Sequence, residues 1–210
     1  MTVERSLSLD STHQRLDSLP RHRLRHAYYR EDAGEGGVPD VRFAMACDDD
    51  SLFLKFYVRE ACVLARAVRD NESVCKDSCV EFFVNPAPSK NVYWNFEFNC
   101  IGTCLAARGK DRHSRTPLAD AALASIARCS SFPRKPFAEK HGDIQWWLAV
   151  RIPLALFCDA GAGTEWTGNI YKCADDSSRP HWLSWHKMDV TRPDFHRPEY
   201  FGPIRPPHTG

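Results

Sequence analysis

The sequence predicts an all-β protein, an antiparallel β-sandwich with short helical turns, and three observations predict it. Apolar and polar residues alternate with period two in several separate runs, turn-forming residues close those runs, and no long helical period lies between them. The 210 residues suit one domain with a sizeable core. Residues 1–37 read as a polar extension with at most one leading strand, 38–205 as the sandwich, and 206–210 as a tail.

Ordered structure becomes legible at Val41. Val41, Phe43 and Met45 alternate with Arg42 and Ala44, and Leu52, Leu54, Phe56 and Val58 alternate with Phe53, Lys55, Tyr57 and Arg59. The three aspartates from Asp48 to Asp50 lie between these runs, so the pair reads as a β-hairpin. Residues 78–85 place Val80, Phe82 and Val84 on one face and Cys79, Glu81 and Phe83 on the other, with Pro86 ending the strand. Residues 92–100 set Val92, Trp94, Phe96 and Phe98 against Tyr93, Asn95, Glu97 and Asn99. Residues 117–128 read as a short helix or a loop. Residues 144–152, 166–173 and 181–185 read as further strands, with a helical turn after Pro153 and an extended tail from Pro193.

Composition narrows the function classes. The 28 basic and 27 acidic residues give a net charge of +1, without the basic excess of a nucleic-acid binder. The densest basic stretch, Arg21 to His26, reads as a solvated face. No segment approaches the ~20 apolar residues of a membrane span, and the first twenty residues lack a signal-peptide core. A cytoplasmic protein, or a soluble fragment of a larger one, is the expectation. The nine cysteines are spread without a disulfide rhythm and read as reduced, mostly buried side chains. Cys75/Cys79 and Cys100/Cys104 have a CxxxC spacing, but strand residues four apart are about 13 Å from each other, too far to share a metal.

Two readings of the chemistry stand side by side. Glu97 lies between Asn95 and Asn99 on one polar strand face, with Glu81 facing the same way, which is the donor and acceptor mixture that sugar hydroxyls need. Trp94 shares the apolar face and reads as core, whereas Trp185, beside Ser184 and His186, reads as an exposed stacking platform. Alternatively, Glu81 and Glu97 form the carboxyl pair of a glycoside hydrolase or lyase. Nucleophile-elbow, P-loop and zinc-protease motifs are missing. His181, His186 and His196 with Asp189 and Asp194 lack chelating spacing, and Asn71-Glu72-Ser73 is a bare glycosylation sequon.

Several runs, in order, resemble one family. Asp48-Asp49-Asp50-Ser51-Leu52-Phe53-Leu54-Lys55-Phe56, Lys76-Asp77-Ser78-Cys79-Val80-Glu81 and Trp94-Asn95-Phe96-Glu97-Phe98-Asn99 are similar to signature strands of the family 9 carbohydrate-binding modules, in particular the stand-alone bacterial family 9-like proteins. Asn169-Ile170-Tyr171-Lys172-Cys173 and the ending from Asp194 to Gly202 are similar as well. The resemblance implies a non-catalytic sandwich that binds sugars or polysaccharide ends, commonly beside glycoside hydrolases and with structural calcium. It places a sugar-contacting glutamate at Glu81 and an aromatic at the position held here by Cys75. With Asn99 and Arg108 as polar partners and Trp185 as the ring, these residues make the expected site. If that site has lost its sugar, a protein-interaction sandwich is the remaining alternative.

Overall fold

The computed structural model describes residues 13–28, 37–160 and 165–205. In chain order the strands are β1 (His22–Arg23), β2 (His26–Tyr28), β3 (Asp40–Cys47), β4 (Ser51–Ala65), β5 (Cys79–Asn85), β6 (Tyr93–Asn99), β7 (Cys104–Gly109), β8 (Thr116–Pro117), β9 (Ala127–Ser130), β10 (Phe137–Pro153), β11 (Trp166–Cys173), β12 (Trp182–Ser184) and β13 (Gly202–Ile204). They form two antiparallel sheets. One has the order β1-β3-β4-β10-β9; the other runs β2-β12-β11-β5-β6-β7-β8, with β13 also paired to β11. Residues 22–28, assigned by the sequence to the polar extension, thus supply an edge strand to each sheet. One short helix, α1 (Asp120–Ser125), and several 3₁₀ turns complete the described chain.

The expected hairpin is β3–β4, in register from Asp40↔Arg59 to Cys47↔Leu52. Its turn is held by Asp48, whose Oδ1 accepts from the N–H groups of Asp50 and Ser51 at 2.9 and 2.7 Å, the local bonding that makes aspartate a turn former. The core lies between the sheets. Phe43, Leu54, Phe56, Leu148 and Val150 from one sheet pack against Val80, Phe82, Trp94, Phe96 and Ile170 from the other, all nearly inaccessible. At roughly 1.5–3 kcal/mol per fully buried large apolar side chain, this layer is the main stabilising term. Trp146 and Trp147 diverge as strand parity requires: Trp146 is buried and donates to Glu60, while Trp147 stacks on His13.

Neither outer face is bare. Leu16 closes a small cluster with Ala44, Ala46 and Phe53 on the five-stranded sheet, and Asp17 pairs with Lys55 there at 2.8 Å. On the eight-stranded sheet, Phe83, Tyr93 and Tyr171 are covered by Met188 and Phe195 from the C-terminal segment. All seven residues of β5 and of β6 are consequently buried, the polar ones included.

Gly168 on β11 sits against β5 so closely that a Cβ would run into the carbonyl oxygen of Phe83. Gly168→Ala is therefore expected to destabilise the fold by about 1–3 kcal/mol, the usual cost of overpacking. A thermal melt that matched the parent would refute this.

Candidate functional site

The outer faces of β5, β6 and β11 form the floor of a cavity of about 450 Å³, within the range of small-molecule sites. Glu81 and Glu97, directly opposed across β5 and β6, rise from that floor, with Cys173 from β11 beside them. Cys75, from the 3₁₀ turn Val74–Lys76, and Trp182 from β12 stand in its walls. Arg112, Arg115 and His196 close it from the loop after β7 and from the C-terminal segment.

Each side chain is held. Trp182 donates Nε1–H to Asp175 Oδ1 at 2.8 Å, which fixes its ring at the wall. Glu97 accepts from Asn95 Nδ2 at 3.0 Å and has Arg115 Nη1 at 3.7 Å. That Nη1 is buried and makes no hydrogen bond among the described residues. Glu81 accepts from the Cys173 thiol at 3.1 Å. His196 shares a 2.8 Å hydrogen bond with Tyr93 through Nδ1, and Arg112 pairs with Asp194 at 2.9 Å.

Electrostatics follow from burial. Burial pushes Glu81 well above the usual carboxylate range, and the neighbouring Glu97 charge pushes it further. Burial raises Glu97 to about 7, with Arg115 and Asn95 pulling it partly back. Near neutral pH the pair therefore holds a proton and offers hydrogen-bond donors as well as acceptors. Burial, with the charges of Arg115 and Arg112, lowers His196 to about 3, so its imidazole is neutral.

The expected site was Glu81, Asn99, Arg108 and Trp185, and the structure does not bring the four together. Glu81 stands on the cavity floor. Asn99 is fully buried at the end of β6, donating to Ala67 O and Asp77 Oδ2 at 2.8 and 2.9 Å; it braces the turn that leads into β5. Arg108 shares the face of its register partner Trp94 and lies over that indole at 5.8 Å, in a different cavity lined by Lys90 and Lys110. Trp185 packs edge-on against Phe43 at the inner core. Ser184 faces the other way along the strand, and His186 packs on the Trp185 ring itself, so their polarity does not mark an exposed face. Trp182 is the tryptophan in the cavity. The readable signal was Leu183, whose place in the inner core turns Trp182 outward.

The three histidines do not converge either: His181 is buried with Lys172 and Glu60, His196 bonds Tyr93, and His186 packs on Trp185. None of the eight cysteines described is in a disulfide, and five of them are buried. For the calcium implied by the resemblance, the described residues offer no cluster of carboxylate donors. Asp48 spends an oxygen on its own turn, and the group of close donors among the described residues is Cys79, Glu81 and Cys173. Two thiols and one carboxylate do not supply the six to eight oxygens that calcium takes.

Residues 31–205 match the model of carbohydrate-binding family 9. The chain belongs to that family. In three dimensions the chain is similar to a candidate carbohydrate-binding protein from Bacteroides uniformis, 33% identical, with a TM-score of 0.86 over 95% of this chain and 93% of that one. Two solved structures of a family 9 module from Caldicellulosiruptor kristjanssonii share the fold. One, in complex with glucose, is 15% identical with a TM-score of 0.56 over 93% of this chain and 87% of its own. The other, in complex with cellotriose, is 14% identical with a TM-score of 0.59 over 93% and 86%. No curated protein matches the chain. Among the described residues of this family 9 chain, no helix is long and apolar enough to cross a membrane.

Proposed function

We propose that the chain binds a small sugar or the end of an oligosaccharide in the cavity over β5, β6 and β11. The observation that carries this reading is the convergence of one anchored indole, Trp182, with the Glu81–Glu97 pair and Arg115, whose Nη1 makes no hydrogen bond among the described residues, in a single cavity. A pyranose has apolar C–H faces that stack on an aromatic ring and hydroxyls that bond carboxyl and guanidinium groups. Cys75 lines the same cavity, so one ring stacks where the resemblance led us to expect two. Affinity in the millimolar to submillimolar range is expected.

Binding without turnover fits the protonation of the carboxyl pair better than hydrolysis does. A glycoside hydrolase places its two acids about 5–9.5 Å apart on either side of the scissile bond. Glu81 and Glu97 are register partners, side by side on one floor, and burial raises both, whereas a hydrolase keeps one of its two acids ionised as nucleophile or base.

Calorimetric titration with glucose, cellobiose and cellotriose tests the proposal. At least one should bind, Trp182→Ala should weaken it tenfold or more, and aryl-glycosides should not be turned over. A folded protein that bound none of a wider sugar panel, or bound one equally well as Trp182→Ala, would overturn the reading.

A further inference from the structure

Cys79 and Cys173 lie far apart in the sequence but are direct register partners, Cys79 on β5 and Cys173 on β11. Both thiols face outward, as does Glu81 two residues beyond Cys79. All three side chains are buried, at 0, 1 and 2% exposure. Their donor atoms lie within 4.8 Å of one another, with Cys173 Sγ at 3.1 Å and Cys79 Sγ at 4.0 Å from Glu81 Oε1. Tetrahedral zinc, with bonds of about 2.3 Å to sulfur and 2.1 Å to oxygen, sets S···O edges near 3.6 Å and S···S edges near 3.8 Å. The observed distances to Glu81 bracket that value. The fold has already brought the donors together.

Further acidic and thiol groups surround these donors. Glu97 stands opposite Glu81, and Cys75 and Asp175 line the same cavity. Arg112, Arg115 and Arg192 also face the cavity, but Arg112 is paired with Asp194 and Arg115 sits against Glu97. His196 is neutral there. Glu81 and Cys173 themselves line the cavity, so three protein ligands leave a fourth position toward it. The CxxxC spacing had pointed elsewhere, to Cys75 with Cys79, and the objection that both lie in one strand does not hold, because Cys75 is in the Val74–Lys76 turn. The partner of Cys79 is supplied across the sheet.

We propose that Cys79, Cys173 and Glu81 form a binding site for one thiophilic divalent metal ion, of the Zn²⁺ and Cd²⁺ class, in the cavity floor. Binding replaces the two thiol protons, which are released to solvent, and the ion's affinity therefore rises with pH. The site uses floor residues and does not require that the cavity's ligand be a sugar.

Reduced, metal-free protein titrated with Cd²⁺ should develop thiolate-to-metal absorption in the near ultraviolet that saturates at one ion per chain. Co²⁺ should give the intense visible bands of a tetrahedral thiolate site. Cys79→Ser and Cys173→Ser should each weaken Cd²⁺ at least a hundredfold, while Cys100→Ser, whose thiol faces Leu64 O in the inner core, should leave it unchanged. Should the serine variants not fold, Glu81→Gln keeps both thiols and is expected to weaken Cd²⁺ tenfold or more. The proposal is overturned by the lack of any such absorption. It is equally overturned if the absorption persists in the folded double serine variant, or if Glu81→Gln leaves affinity unaltered. Sugar titrations on the same metal-free protein keep the two readings apart, since failure of one leaves the other's signal intact.

Discussion

Replacing Lys172 by methionine is expected to lower the unfolding free energy by about 3–5 kcal/mol, the usual cost of breaking a buried ion pair from one side. Lys172 projects from β11 into the space between the sheets and is fully buried. Its ammonium lies 2.8 Å from Glu60 Oε2 of β4 and donates to Cys173 O at 2.9 Å and His181 Nε2 at 2.7 Å. His181 Nε2 accepts that bond, which places its proton on Nδ1, where Arg179 O receives it at 2.9 Å. Burial first, and the lysine charge second, lower the imidazole's pKa, consistent with this neutral tautomer. Glu60 also accepts from Trp146 Nε1 at 2.7 Å. Methionine fills the space of the lysine stem and leaves the Glu60 carboxylate buried with no cation.

The measurement is urea unfolding of the parent, Lys172→Met, and the double variant Lys172→Met/Glu60→Gln. The double variant should recover much of the loss, because glutamine removes the stranded charge and keeps an acceptor for Trp146. A shift below about 1 kcal/mol for Lys172→Met would show that the inter-sheet pair does not operate as described.

How far such features can be read from sequence depends on how far their cause is local. The faces of β5 and β6 were legible because strand parity is local and holds over seven residues. Glu81 and Glu97 were accordingly placed on one face, and they line one cavity. The buried pair also left a trace: the stripe Leu52, Leu54, Phe56, Val58 continues by parity to Glu60, and Ile170 continues to Lys172. Two apolar stripes ending in opposite charges are what an inter-sheet pair requires, but their meeting is set by sheet packing and has no local signature. Trp182 was missed for a different reason. Sequence neighbours in a strand report on the opposite face, so polarity around Trp185 was uninformative, whereas the register of β12 on β11 decides which ring reaches the cavity. The cavity's upper residues, Arg112, Arg115 and His196, come from irregular segments with no periodicity to read. The Cys79–Cys173 juxtaposition likewise exists only through the β5–β11 register.

Glu97→Gln is expected to flatten the alkaline side of the stability profile. Glu97 is buried, and burial raises it from 4.5 to about 7. A group raised on folding contributes stability that is full below its unfolded pKa, near 4.5, and is lost as pH rises through about 7. Ionising it inside the fold costs up to about 3 kcal/mol by the linkage relation. The acid limb has other causes. Burial alone would raise Glu60, but the Lys172 ammonium outweighs it and holds the carboxyl at about 2, so its contribution is present above 4.5 and lost as pH falls through about 2. His196, at about 3 in the fold, gives stability that is present above 6.5 and lost as pH falls through 3. Neither group is changed by the substitution, so the acid limbs should superimpose. At pH 8 the variant should be more stable than the parent by about 2–3 kcal/mol, and at pH 5 the two should nearly coincide. Parallel denaturant titrations at the two pH values decide it: an unchanged difference between parent and variant would mean that Glu97 ionises in the fold without penalty. The same variant should bind sugar less well, because the carboxyl that strains the fold at pH 8 is one of the groups we assign to the ligand. A residue that lowers stability where it serves a site is the expected trade between the two, and it gives a reason for two acids to stand together in a buried floor that packing alone would fill with apolar side chains.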